Sequence, residues 1–234
     1  MRAEAVARPL PVSAVLFDLD GTLADSAGDL AGALNCVRAE AGLPPLPVDA
    51  VRAHASSGAR GMLQAGMGVL PDDPRYATLR DAFLDHYAAR LARTTRLFDG
   101  VDALLAHLTR RGFRWGIVTN KHTRFTGPVT AALALTERAG VIVSGDTTPH
   151  AKPHPAPLLH AAAALQCAPA QCVYVGDDLR DIEAGIAAGM ATLAAAYGYV
   201  GPQGDYANWP ATGVIAKPID VLAWLPERAG APAP

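Results

Sequence analysis

The chain has 234 residues, half of them hydrophobic and 18% charged, a balance that suits one globular domain or one domain carrying a smaller insert. It excludes a disordered, highly charged binding protein. The net charge of −2 lacks the basic surplus of a nucleic-acid binder, and no apolar run approaches the roughly 18 residues of a membrane helix. The opening MRAEAVARPLPVSA holds an acidic residue and two prolines without an apolar centre, so a secretory signal is not expected. Cys36, Cys167 and Cys172 make an odd count without CxxC spacing and read as free thiols of a reducing cytoplasm.

Taken in chain order, the first predicted element is a strand over 12–17, apolar and ending in Asp18. Residues 25–96 follow with no strand pattern. They carry helical patterns at 30–41 and 76–92, broken by the turn-rich GLPPLP and VLPDDP. From residue 100 onward, helix-length segments alternate with short apolar runs rich in β-branched residues. The runs lie at 115–119, 141–144 and 172–175, with weaker ones at 192–197 and 213–216. The helical segments lie at 100–111, 124–135, 155–165 and 179–188. Each run has the length of a strand buried on both faces of a parallel sheet. Such alternation argues for the α/β class with a doubly wound parallel sheet and right-handed crossovers. The expected organisation is an α/β core from 1–24 and 97–228, with 25–96 inserted as an all-helical cap above the carboxyl ends of the strands. Residues 229–234, the end of ERAGAPAP, read as a frayed tail.

The residues able to do chemistry gather where four of these strands end. The first strand ends in Asp18-Leu19-Asp20-Gly21-Thr22, two carboxylates that point the same way in extended backbone. That arrangement is costly without a counter-charge, and a divalent cation is a common remedy. The second ends in Thr119-Asn120-Lys121, supplying a hydroxyl and an amide. Lys152 follows the third strand between Ala151 and Pro153, and the fourth ends in Gly176-Asp177-Asp178, with Asp181 one helical turn on. Asp178 either caps the helix that starts at Leu179 or supports the site. Arg60, between glycines in GARG, is the candidate for contact with a substrate's organic end, on a loop that approaches the ligand. His150 and His154 bracket Lys152 but lack further ligands at zinc spacing, and read as loop histidines. The glycines of 58–68 lack the GK[ST] ending of a nucleotide P-loop.

FDLDGT, VTNK, the Lys-Pro at 152–153 and VGDDLRD resemble, in order and over nearly the whole chain, the four motifs of the haloacid dehalogenase superfamily. Within it the chain is similar to the phosphoglycolate phosphatase group. SSGARGM, RLFDGV and AAYGY also resemble the N-acetylmuramic acid 6-phosphate phosphatases of cell-wall recycling. The resemblance implies a Rossmannoid core with a helical cap and Mg²⁺-dependent hydrolysis of a phosphate monoester through an aspartyl-phosphate. It implies Asp18 as nucleophile and Asp20 as acid and base. Mg²⁺ would be held by Asp18, the main-chain carbonyl of Asp20 and Asp177, with Asp181 and Asp178 supporting its waters or Lys152. Thr119, Asn120 and Lys152 would hold the phosphoryl group and Arg60 the rest of the substrate. The substrate expected is a small phosphorylated metabolite, 2-phosphoglycolate first and N-acetylmuramic acid 6-phosphate as the alternative, with no nucleic-acid or membrane partner. A dehalogenase needs neither Asp20 nor Asp177. A phosphomutase of the same fold, or a relative that kept the fold without the chemistry, is a further alternative that turnover assays separate.

Overall fold

The computed structural model describes residues 9–202 and 204–227; the predicted tail at 229–234 lies outside them. In chain order the elements are β1 (Ala14–Phe17), β2 (Ala24–Asp25), α1 (Ala27–Glu40), α2 (Val48–Val51), α3 (Gly58–Met67), α4 (Tyr76–Ala88), β3 (Arg96–Leu97) and α5 (Val101–Arg110). They continue with β4 (Arg114–Val118), α6 (Thr123–Ala132), β5 (Ile142–Val143), α7 (Ala156–Ala164), β6 (Cys172–Gly176), α8 (Leu179–Ala187), β7 (Ala191–Ala195) and β8 (Gly213–Ile215). A 3₁₀ turn, Arg52–Ser57, precedes α3.

Six strands form one parallel sheet in the order β5-β4-β1-β6-β7-β8. β1 lies inside it because Ala14–Phe17 is apolar at every position and buried at every position. The period of two then divides its residues between two cores. Val15 and Phe17 join Ile117, Val173 and Val175 on one face; Ala14 and Leu16 join Val118, Val143 and Tyr174 on the other. From β1 the chain first builds outward through β4 and β5, then returns to add β6, β7 and β8 on the other side. The carboxyl end of β1 is therefore the point where strand order reverses, the crevice in which doubly wound sheets hold ligands.

Helices α1 to α4 pack around their own core, built from Leu30, Leu34, Met62, Leu63, Phe83 and Tyr87. The chain enters and leaves this helical unit side by side, because β2 and β3 pair antiparallel, Ala24 with Leu97 and Asp25 with Arg96. Residues 58–68 are where the sequence reading and the structure part. The segment read as a ligand-approaching loop is helix α3. Two of its glycines serve close packing: a methyl at Gly61 would collide with the His54 carbonyl, and one at Gly66 with Leu34, while Gly58 and Gly68, at positive φ, bound the helix. Among the described residues no helix is long and apolar enough to cross a membrane.

Candidate active site

β1 delivers Asp18, after which the chain turns sharply. Gly21 has φ +89°, and a methyl there would strike the Asp177 carboxylate, so this turn takes glycine on both counts. Thr22, next in line, donates its hydroxyl to Asp177 Oδ1 at 3.0 Å. β6 delivers Asp177 itself, fully buried, whose Oδ2 accepts from Ser56 Oγ at 2.9 Å and from the Tyr199 main-chain N–H at 3.0 Å. Ser56 comes from the 3₁₀ turn of the helical unit, so that unit touches the carboxylate cluster directly.

β4 delivers Thr119, Asn120 and Lys121. The Asn120 side-chain amide is engaged at both ends: its Nδ2 donates to the Lys152 carbonyl and its Oδ1 accepts from the Lys152 N–H, each at 2.9 Å. That side chain fixes the Lys152 loop, while Thr119, whose hydroxyl accepts from the Lys121 N–H at 3.2 Å, lines the cavity beside Lys121. Lys152 Nζ then reaches inward, donating to Asp181 Oδ1 at 2.7 Å, to Tyr174 OH at 2.7 Å and to the Val118 carbonyl at 3.0 Å. It also lies 2.9 Å from Asp18 Oδ1. This last contact is one of charge without hydrogen-bond alignment, and Asp18 Oδ1 is left buried with no hydrogen-bond partner.

Asp178 is the N-cap of α8. Its Oδ1 accepts from the Arg180 N–H at 2.9 Å, while Asp181 Oδ2 accepts from the Asp178 N–H at 3.1 Å, closing a capping box. The Arg180 guanidinium grips both Asp178 oxygens at 2.8 Å. The geometry realises the cap reading of Asp178, whose side chain also lines the cavity that holds Asp18 and Lys152. Arg60 sits exposed on α3 and is not among the residues lining the cavity. The loop it was expected to occupy is helical, and the turn before α3 is what faces the site. His150 and His154 lie exposed, their rings 4.4 Å apart and tilted by 36°.

Carboxylate oxygens of Asp18, Asp177 and Asp181 lie within 4.8 Å of one another, all buried. One ammonium, Lys152, touches this group of three. Burial pushes the Asp18 carboxyl up to about 7, against the pull of Lys152 and with the help of Asp181. Burial, then Asp18 and Asp181, hold Asp177 well above the usual carboxylate range. An orphaned Asp18 oxygen beside an excess of buried negative charge fits a hard divalent cation, which takes oxygen ligands. Around it, Asp18, Asp20, Thr119 and Lys152 line one side of a cavity of about 290 Å³. The wall across from them is apolar: Leu30, Ala55, Phe83, Leu84, Tyr87 and Phe125.

The family profile of haloacid dehalogenase-like hydrolases matches residues 15–195, a span from β1 to β7 that includes every strand end just described. The chain belongs to the haloacid dehalogenase-like hydrolases. It is 43% identical to the N-acetylmuramic acid 6-phosphate phosphatase of Pseudomonas aeruginosa over 214 residues, covering 90% of this chain and 95% of that one. It is 42% identical to the phosphoglycolate phosphatase of Xanthomonas campestris pv. campestris over 213 residues, covering 91% and 95%. The structure of the predicted phosphoglycolate phosphatase of Haemophilus somnus superposes with a TM-score of 0.78 at 27% identity, covering 91% and 97%. Like these relatives, this hydrolase is an enzyme of the phosphoric monoester class.

Sequence reasoning gave no role to Lys121, Tyr174, Ser56 or Tyr87. Lys121 stood inside VTNK, and strand alternation alone turns Tyr174 to the Lys152 side of β6. Ser56 and Tyr87 carried no signal beyond lying in the helical segment, because their contacts are made by elements far apart in sequence.

Proposed function

We propose that this hydrolase cleaves phosphate monoesters through an aspartyl-phosphate formed on Asp18. The observation that carries the reading is the buried Asp18 oxygen that lines a cavity, paired by charge with Lys152 and without an aligned hydrogen-bond donor. Asp18 attacks phosphorus, the bond to the leaving oxygen breaks, and Asp20 gives that oxygen a proton. Water then attacks the phosphorus of the acyl phosphate, Asp20 takes its proton, and Asp18 is restored as phosphate leaves. Lys152, held by Asp181, Tyr174 and Asn120, keeps its ammonium against the transferring oxygens, with the Thr119 hydroxyl as a further donor. Asp18, Asp177 and the main-chain carbonyl of Asp20 would hold Mg²⁺, whose charge offsets the repulsion between a carboxylate and a dianionic phosphate. Residues 25–96 act as the cap that closes the cavity, and the proposed compartment is the cytoplasm, in keeping with three free cysteines.

The leading substrate is 2-phosphoglycolate. The apolar wall and a cavity larger than a two-carbon acid requires favour a second, N-acetylmuramic acid 6-phosphate. Arg60 lies outside the cavity, and the lysine and arginine side chains that line it, Lys121, Lys152 and Arg180, come from the core; both esters carry a carboxylate, so these charges do not separate them. Steady-state kcat/KM for the two esters with Mg²⁺ decides. A preference of roughly a hundredfold, about 2.7 kcal/mol in the transition state, identifies the substrate. Turnover of neither, nor of any simple phosphate ester, would remove the reading.

A further inference from the structure

Asp20 is held by a group that the mechanism above leaves idle. Lys121 Nζ lies 3.0 Å from Asp20 Oδ1 and 2.9 Å from Oδ2, so one ammonium grips both oxygens of the carboxylate. The side chains are 8% and 13% exposed, which sets this pair apart from the solvated ion pairs of the surface. The ammonium has a second neighbour on its other side. Its Nζ lies 4.8 Å from the centroid of the Tyr87 ring, within range of a cation–π contact. Tyr87 belongs to α4 and is locked among Phe83, stacked at 6.4 Å, and Phe125, edge-on at 5.3 Å. Phe125 comes from α6, on the sheet side. A continuous chain of contacts therefore runs from the cap's core through Tyr87 and Lys121 to the carboxylate of Asp20.

We propose that Lys121 is a positioning residue for Asp20 and that the Tyr87 ring makes this positioning depend on the seating of the cap. The proposal rests on the reading of Asp20 as proton donor to the leaving oxygen. A carboxylate gripped at both oxygens has its plane and direction fixed, and it keeps that direction when one oxygen takes up the proton and the other stays on the ammonium, as a general acid needs before it can reach the leaving oxygen. Without the ammonium Asp20 keeps the Ser26 hydroxyl, which donates to Oδ1, but loses the grip on Oδ2, and the carboxylate plane can turn about that one remaining bond. Without the aromatic face the ammonium loses the support that comes from the cap.

The experiment compares kcat/KM, which reports phosphoryl transfer to Asp18 and not the shared hydrolysis step, for phenyl phosphate and 4-nitrophenyl phosphate, esters of similar shape whose leaving oxygens differ in basicity. Proton donation matters for the first and little for the second. Asp20→Asn tests the underlying reading: it should lower kcat/KM for phenyl phosphate at least tenfold more than for the nitro ester. Lys121→Met should show the same selective loss, with KM changed by no more than about threefold. Tyr87→Leu, which removes both the ring and the hydroxyl beside Lys121, should move the ratio in the same direction. If Asp20→Asn is selective but Lys121→Met lowers both esters equally, the positioning role is wrong and the acid stands. If Asp20→Asn itself is unselective, the acid reading fails and this inference falls with it. Far-ultraviolet circular dichroism and the melting transition show that each variant is folded. Should Tyr87→Leu not fold, Lys121→Met decides alone.

Discussion

At the scale of single residues, the site is a problem of charge. Asp18, Asp177 and Asp181 share one lysine, and burial keeps the Asp18 carboxyl up at about 7, with Asp177 also well above its ordinary range. In the metal-free protein the folded state thus retains protons on this cluster that the unfolded chain has already released. Stability must fall as pH rises from the ordinary carboxylate range near 4 through about 7. We expect the melting temperature of the EDTA-treated protein to drop by several degrees between pH 5.5 and 8. Mg²⁺ should raise it more at pH 8 than at pH 5.5, and Asp18→Asn should flatten the drop. Scanning calorimetry checks this, and a metal-free melting temperature that rises over that window contradicts it. Asp178 belongs to a different window: burial raises its carboxyl, but the Arg180 bonds outweigh burial and hold it low, so it stays charged throughout.

At the scale of elements, the parallel strands and the ends they present were legible because each rests on local pattern. The apolar runs predicted at 12–17, 115–119, 172–175 and 192–197 contain or overlap β1, β4, β6 and β7, and polar or charged site residues follow the first three directly in sequence. Helix α3 was not legible, since glycines that read as a loop were selected by contacts with His54 and Leu34. Arg60 was misplaced for the same reason. The grip of Lys121 on Asp20 was equally hidden, since it joins residues 101 positions apart. Asp29 offers an element-level test. In the first turn of α1, it accepts four hydrogen bonds, from the N–H and hydroxyl groups of Thr94 and Thr95, at 2.7 to 3.1 Å. Burial raises its carboxyl, yet those four donors outweigh burial and hold it below the usual range. This bundle ties the start of the helical unit to its end. Asp29→Ala should cost about 2–4 kcal/mol by leaving those donors without an acceptor. That corresponds to a melting temperature lower by roughly 5–10 °C; a change under about 2 °C would mean the bundle does not hold the junction.

At the scale of the whole molecule, strand reversal beside β1 puts Asp18 in the crevice, and the helical unit covers it with an apolar wall. On the proposed reading the sheet supplies the chemistry and the helical unit the shape of what can enter. Removing divalent metal should therefore silence turnover of every ester alike, good and poor leaving groups included, and Mg²⁺ should restore it. Activity in excess EDTA would remove the metal from the account. The most direct measurement is to mix enzyme, Mg²⁺ and a phosphate ester, quench in acid within one turnover, and map the protein by mass spectrometry. The account predicts one phosphoryl group on the peptide carrying Asp18, absent in Asp18→Asn. A phosphoryl group on another residue, or none while ester is being consumed and Asp18→Asn still turns over, would contradict it.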